Sequence, residues 1–344
     1  MSSPKLPNQS KIIQLVLILG LIAFILYIYA FVNISELIAI FSTIRAEYYA
    51  AAFVTYIIYT FFSALVWHRL LNNLSVPVTR RKAFLFTWVG LFFDATVPQL
   101  GWSAEVSKTY LLAKDSKVDA TKVTASVVGQ KLFTNTMTVV AMSLGLGFVL
   151  LNYTVDLLTA LLLGLVLALS ILTLGVIYWV SIKQSATKTL LNFAVKILQT
   201  FRKTWNPEAF KIKAEALLGG FHNSFEQLRS KPKALVEPAA YAVLGFIFEI
   251  SVVFLCFIAL GYTVPVDKVL IVFTLTGTLQ TIGVFIGIPD LVMTISLNAL
   301  NIPIGISVAV TLLTRVVNLW FRLAVSYVAL QWAGLKIMRQ SRAA

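Results

Sequence analysis

AFLFTWVGLFFDATVPQLGW, residues 83–102, decides the fold. The stretch is apolar enough to enter a bilayer, yet Asp94, Pro98 and Gly101 crowd its second half. Proline removes a backbone donor and glycine weakens a helix, so the stretch breaks unless neighbouring helices satisfy the freed groups. A second stretch has the same character. Residues 269–289, VLIVFTLTGTLQTIGVFIGIP, hold Gly277, Gly283, Gly287 and Pro289. Both are read as re-entrant or broken segments rather than as full crossings.

Six other runs are continuous, at 12–32, 48–72, 125–151, 157–181, 238–262 and 304–333. Each is close to the roughly 20 residues that cross about 30 Å of hydrocarbon. They are too long for barrel strands of about ten alternating residues, so the spans are helical. Composition agrees: 59% of the 344 residues are apolar and 12% charged, against about 25% charged in soluble proteins. The run 12–32 follows Lys5 and Lys11 but is longer than a signal-peptide core and has no convincing cleavage site, so it is expected to be retained. Cys256 is the one cysteine and has no partner for an internal disulfide.

The net charge of +14 fits a membrane protein that holds Lys and Arg in its cytoplasmic loops, and no nucleic-acid partner is expected. Segment 69–82 carries Arg69, Arg80, Arg81 and Lys82 with no acid, and segment 183–233 carries ten Lys and Arg against three acids. Lys336, Arg339 and Arg342 follow the last span. Placing these segments inside fits six spans and two non-crossing hairpins, with both termini cytoplasmic in a multi-pass cell-membrane protein. The fold class expected is an all-α polytopic bundle forming a single membrane domain over 1–344.

Residues 48–151 then form a span, a hairpin and a span, and residues 238–333 repeat that order. The first hairpin enters from inside and the second from outside, which is the inverted repeat found in many transporters. Between the halves, residues 183–233 form a basic amphipathic cytoplasmic segment. Leu190, Ala194, Ile197, Leu198 and Phe201 share one helical face, and Phe210, Ala214, Leu217, Leu218, Phe221, Phe225 and Leu228 share another. Such helices either lie on the inner leaflet or pack on the bundle.

Charge inside the bilayer costs about 2.5–3.5 kcal/mol per residue on insertion scales and so faces a bundle interior or a wet cavity. Glu249 and Arg315 fall near mid-depth, and Arg322, seven residues after Arg315, is expected on the same helical face. Lys131 lies in the inner part of its span, and Asp94 and Asp290 lie in or beside the hairpins. Acids run short at the depth of Lys131 and Arg322. These residues therefore outline a cavity with a cationic lining for a phosphate or carboxylate, to which Arg donates two parallel hydrogen bonds. Two simpler arrangements stand beside it: a Glu249–Arg315 ion pair that only fixes packing, and snorkelling of Lys131 and Arg322. Glu105 and Lys108, three apart just after the first hairpin, share a face if helical and form either a surface pair or part of the site.

Walker, GxSxG and HExxH motifs are absent. His68 and His222 are far apart in sequence, and no metal or cofactor is expected. The longest segment between spans, 183–233, is too short for a soluble catalytic domain.

The stretches PQLGWSAEVSKTYLLAKD (98–115), SVVGQKLFTN (126–135) and GVFIGIPDLVMTISLNALNIPIGISVAVTLLTRVVNLW (283–320) resemble the lysylphosphatidylglycerol synthase transmembrane region family, also described as flippase-like. In the first, Glu105 matches the acid of a P-x-x-G-E-x-x-R type motif and Lys108 stands for the Arg, with two residues inserted between Gly101 and Ala104. In the second, Gln130 and Lys131 replace a Glu-Arg pair and Asn135 a later Asp. In the third, Arg315 matches the Arg, and Asp290 is the nearest acid. The resemblance covers nearly the whole chain. It implies paired re-entrant hairpins and the movement of anionic phospholipid or polyprenyl-phosphate-linked lipid between leaflets. Some relatives carry an aminoacyltransferase domain, which this sequence lacks.

The expected function is therefore a non-enzymatic lipid translocase whose partners are membrane lipids, with a homodimer left open. Its expected substrate-binding residues are Lys131, Arg315, Arg322, Glu249, Glu105, Lys108, Asp290 and Asp94. The alternative is a lipid-binding partner that presents a lipid intermediate to a separate enzyme.

Overall fold

A computed structural model of the chain describes residues 42–96, 103–153, 157–201, 208–281 and 288–343. The span expected at 12–32 and the hairpin tips holding Pro98, Gly101, Gly283 and Gly287 lie outside these residues.

The described residues form helices and no strand. In chain order these are α1 Ala46–Asn73, α2 Arg80–Thr96, α3 Ser103–Ser116, α4 Ala120–Asn152, α5 Leu157–Ile182, α6 Gln184–Phe201, α7 Glu208–Arg229, α8 Val236–Ala259, α9 Val266–Thr281, α10 Ile288–Ala299, α11 Ile304–Arg315 and α12 Arg322–Ala343. A 3₁₀ turn, Pro232–Leu235, leads into α8, and a π-helical segment, Val316–Phe321, joins α11 to α12. Five helical segments are long and apolar enough to cross a membrane: Ala46–Asn73, Ala120–Asn152, Ala160–Ile182, Pro232–Ala259 and Ile304–Ala333. They coincide with five of the six expected spans. Pro232, Pro238 and Pro289 stand in first turns, where a missing N–H breaks no helical bond.

The two broken stretches extend further than their glycines and prolines indicate. Each is a helical hairpin. α2 and α3 run antiparallel, because Lys82 near the start of α2 donates to Ser116 at the end of α3 at 2.8 Å and pairs with Asp115. α9 and α10 do the same through Lys268 Nζ, which donates to the Leu300 carbonyl at 2.6 Å and lies 4.8 Å from the Tyr153 ring centroid. At a rise of 1.5 Å per residue, α2 and α3 are about 25 and 21 Å long. They reach most of the way through about 30 Å of hydrocarbon.

The bundle is built around α1 and α8, which run antiparallel. Arg45 at the start of α1 donates its N–H to the Ala259 carbonyl at the end of α8 at 2.9 Å, and Arg69 near the end of α1 pairs with Glu237 at the start of α8 at 2.6 Å. Trp67, fully buried, donates to Ser126 at 3.0 Å and sets the end of α1 level with the start of α4. Four further contacts within and between the two halves have counterparts. α2 packs on α12 as α9 packs on α4, α3 on α4 as α10 on α11, α1 on α4 as α8 on α11, and α1 on the π segment as α8 on α4. Gly145 brings α4 against α9 so closely that a Cβ there would stand 3.0 Å from the backbone nitrogen of Ile271.

Backbone conformation follows the same pattern. Among the described residues, left-handed φ occurs at Ser75, Lys117, Gly261 and Asn301 alone. One lies at the turn after α1, α3, α8 and α10 respectively. Val76, Tyr262 and Ile302 donate back five residues to Leu71, Phe257 and Leu297 at 3.0, 3.0 and 3.1 Å. This bond closes a helix whose next residue turns left-handed. A non-glycine residue pays roughly 1–2 kcal/mol for that conformation, so three such residues are held there by the turns they make.

α5 lies at the edge of this core, with Leu163 buried against it and Leu161, Leu165, Leu172 and Val176 exposed. α7 packs on the bundle: Phe225 and Leu228 are buried, and Gly220 sits against Thr121 at the start of α4. Of the two arrangements open for residues 208–229, bundle packing is the one observed. Phe210, Ile212 and Leu217 remain exposed on α7. The side chains of Leu190, Ala194, Ile197, Leu198 and Phe201 on α6 lie outside the described residues.

Candidate intramembrane charge site

Three carboxylate–cation pairs lie inside the bundle, each with a hairpin residue as its acid. Glu105, in the first turn of α3, accepts from Lys131 Nζ of α4 at 3.3 Å; the two side chains are 14% and 16% exposed. Asp290, in the first turn of α10, pairs with Arg315 at the end of α11; these are 10% and 12% exposed. Asp94, near the end of α2, accepts from Arg322 Nη1 at the start of α12 at 3.3 Å. An acid in a helix's first turn also gains from the N-terminal partial charge of that helix.

These pairs revise three expectations. Arg315 pairs with Asp290, so the Glu249–Arg315 pair does not form. Acids do not run short around Lys131 and Arg322, because Glu105 and Asp94 reach them from the hairpins. Arg315 and Arg322 do not share a face. The π segment between them has more residues per turn than an α-helix, so seven residues no longer complete two turns, and the two Arg reach different neighbours.

Lys108 is placed differently. It is buried, donates to Gln130 Oε1 at 3.0 Å and lies 5.1 Å from the Trp67 ring centroid. Gln130 is held in turn by Ser63, donating to its carbonyl at 2.9 Å and its hydroxyl at 3.0 Å. Glu105 and Lys108 therefore share a helix but not a bond. A buried ammonium is costly without an anion. A side-chain carbonyl and an aromatic face recover part of that cost.

Glu249 forms no ion pair among the described residues. It lines a small cavity between α1, α4 and α8 with Tyr59, Ser63, Gln130, Thr134 and Gly245. Gln130 touches both this cavity and Lys108, so it joins two groups that are far apart in sequence. In the sequence Gln130 stands out only as a motif replacement, and Trp67, Ser63 and Tyr59 carry no signal there. An uncharged polar side chain in an apolar run carries no position-specific signal. Among the described residues no group of His, Cys, Asp and Glu is placed to hold a metal ion. His222 lies 2.7 Å from Thr187 Oγ1 and 3.1 Å from the Ser181 carbonyl, tying α7 to α6 and α5.

Residues 11–326 match the lysylphosphatidylglycerol synthase TM region family. A UPF0104 membrane protein of Methanocaldococcus jannaschii is 26% identical over 317 residues, covering 89% of this chain and 91% of the relative. A UPF0104 membrane protein of Pyrococcus horikoshii is 23% identical over 314 residues, 89% and 92% of the two chains. One from Methanothermobacter thermautotrophicus is 22% identical over 278 residues, 79% and 81%. No solved structure matches the chain.

Proposed function

Because the chain belongs to the lysylphosphatidylglycerol synthase transmembrane region family, we propose that it moves an anionic phospholipid or polyprenyl-phosphate-linked lipid across the bilayer, without chemistry of its own. The observation that carries this reading is the buried Lys108, held by Gln130 where α3 meets α4, in a bundle whose hairpin acids neutralise Lys131, Arg315 and Arg322. A permanently closed scaffold gains little from such groups, since buried ion pairs stabilise weakly against apolar side chains of the same volume. A transport path needs them, because an arriving phosphate can take the place of each carboxylate.

The head group would meet Lys108 and the bases that the hairpins release, while the acyl or prenyl tails stay in lipid. The hairpins re-enter the membrane from opposite sides as parts of two inverted halves, 48–151 and 238–333. Basic residues at 69–82 and 183–233 put both termini in the cytoplasm. Reconstitution into vesicles with fluorescent phosphatidylglycerol or a polyprenyl phosphate tests the proposal. Transfer between leaflets should exceed that of empty vesicles and fall at least about tenfold with Arg315→Ala, the loss expected when roughly 1.4 kcal/mol of head-group binding is removed. Equal transfer with and without protein overturns it.

A further inference from the structure

The Glu105–Lys131 and Asp290–Arg315 pairs occupy the same place in two successive blocks of the chain. Glu105 is the third residue of α3 and Asp290 the third of α10, each directly after its hairpin tip. Lys131 is the twelfth residue of α4 and Arg315 the twelfth of α11, the helices that follow. The lysines that close the open ends of the hairpins match as well, Lys82 being third in α2 and Lys268 third in α9. Both acid–base pairs are nearly and equally buried. The open ends of the two hairpins face opposite ends of the bundle, since each follows the end of α1 or α8 and those helices are antiparallel. One arrangement of charge is therefore present twice, pointing in opposite directions.

We propose that these two pairs are a single latch built into each half, and that they open in alternation. A closed latch ties the tip-proximal turn of its hairpin to the spanning helix behind it. Opening one latch exposes its base to one side of the membrane while the other stays closed. Both latches are closed in the structure. An anion that takes Lys131 from Glu105 opens one side, and one that takes Arg315 from Asp290 opens the other. The alternation rests on the translocase reading, whereas the latching of each hairpin does not.

The remaining charges differ between the halves. Lys108, sixth in α3, has Met293 at the sixth position of α10, and Gln130, eleventh in α4, has Thr314 in α11. The two latches are therefore alike in mechanics, while the buried Lys108 and its Gln130 partner have no counterpart at the matching positions of the second half.

The test uses Ala242→Cys, on the cavity wall and partly buried against the core, in a Cys256→Ala background, in vesicles of known orientation. A membrane-impermeant maleimide is added outside, or loaded inside, with no lipid substrate present. Glu105→Gln should raise labelling of residue 242 from one side by about fivefold or more, and Asp290→Asn from the other side by a similar factor. The exchanged pairs Glu105→Lys with Lys131→Glu, and Asp290→Arg with Arg315→Asp, should restore protection from both sides. That restoration also shows that the single variants acted on the latch and not on folding. Labelling from the same side in both single variants, or no protection in the exchanged pairs, overturns the proposal. Opposite-sided labelling in vesicles that show no lipid transfer would leave the latches standing and refute the translocase reading.

Discussion

Lys108 Nζ donates to Gln130 Oε1 at 3.0 Å, beside the face of Trp67, and forms no ion pair among the described residues. Its neighbour Lys131 has the carboxylate that Lys108 lacks. Lys108 is thus a buried cation with its charge incompletely met, where α3 meets α1 and α4.

Lys108→Met should therefore stabilise the fold while abolishing function. Methionine has nearly the volume of lysine, and replacing a buried charge by a packed apolar side chain is neutral or stabilising by about 1–4 kcal/mol. The freed Gln130 carbonyl offsets part of that gain. Thermal unfolding in detergent should occur at the wild-type temperature or above it, and leaflet transfer in vesicles should fall to background. A variant that transports normally would show that the cation is not part of the path.

Removing one member of an ion pair should cost very different amounts at two places. Arg315 and Asp290 are nearly buried, and Arg315→Ala strands a charge inside the bundle, at about 3–5 kcal/mol. Arg69 and Glu237 are 31% and 46% exposed, and Arg69→Ala should cost about 1 kcal/mol or less. Denaturation in mixed micelles resolves this difference. Equal costs would contradict the burial described for the intramembrane pair.

Asp94 and Arg322 should be energetically coupled. A double-mutant cycle with Asp94→Asn and Arg322→Gln should give an interaction of about 0.5–2 kcal/mol, within the range for residues that share a network. Additive effects would mean that the 3.3 Å contact contributes nothing to the fold.

Gly145 and Gly147 lie two residues apart on α4 and should respond oppositely. A Cβ at Gly145 meets the Ile271 backbone at 3.0 Å, so Gly145→Val should separate α4 from α9 and lower stability by about 1–3 kcal/mol. A Cβ at Gly147 meets nothing within 4 Å, so Gly147→Ala should gain about 0.5–1 kcal/mol from helix propensity. Unfolding curves for the two variants check both signs.

The antiparallel helix pairs α2–α3 and α9–α10 fall where proline and glycine interrupt apolar runs, and the five described spans were legible because lipid forces long uncharged helices. Their limits were less legible. α2 begins at Arg80 and α3 ends at Ser116, both outside the run 83–102. Lys82 and Ser116 finish the hairpin with a hydrogen bond, and hydropathy does not register polar residues of that kind.

Sequence by itself determined that this chain is a bundle of membrane helices with two interrupted segments, and that charge sits within it. These properties follow from local composition, since a helix long and apolar enough to span needs no knowledge of its neighbours. Only the tertiary structure decided who pairs with whom. Arg315 chose Asp290 over Glu249, Arg322 turned away from Arg315 through one π segment, and Glu105 bypassed Lys108 for Lys131. An ion pair depends on a distance of a few ångströms between helices that are tens or hundreds of residues apart in the chain. That distance exists only once the helices have packed.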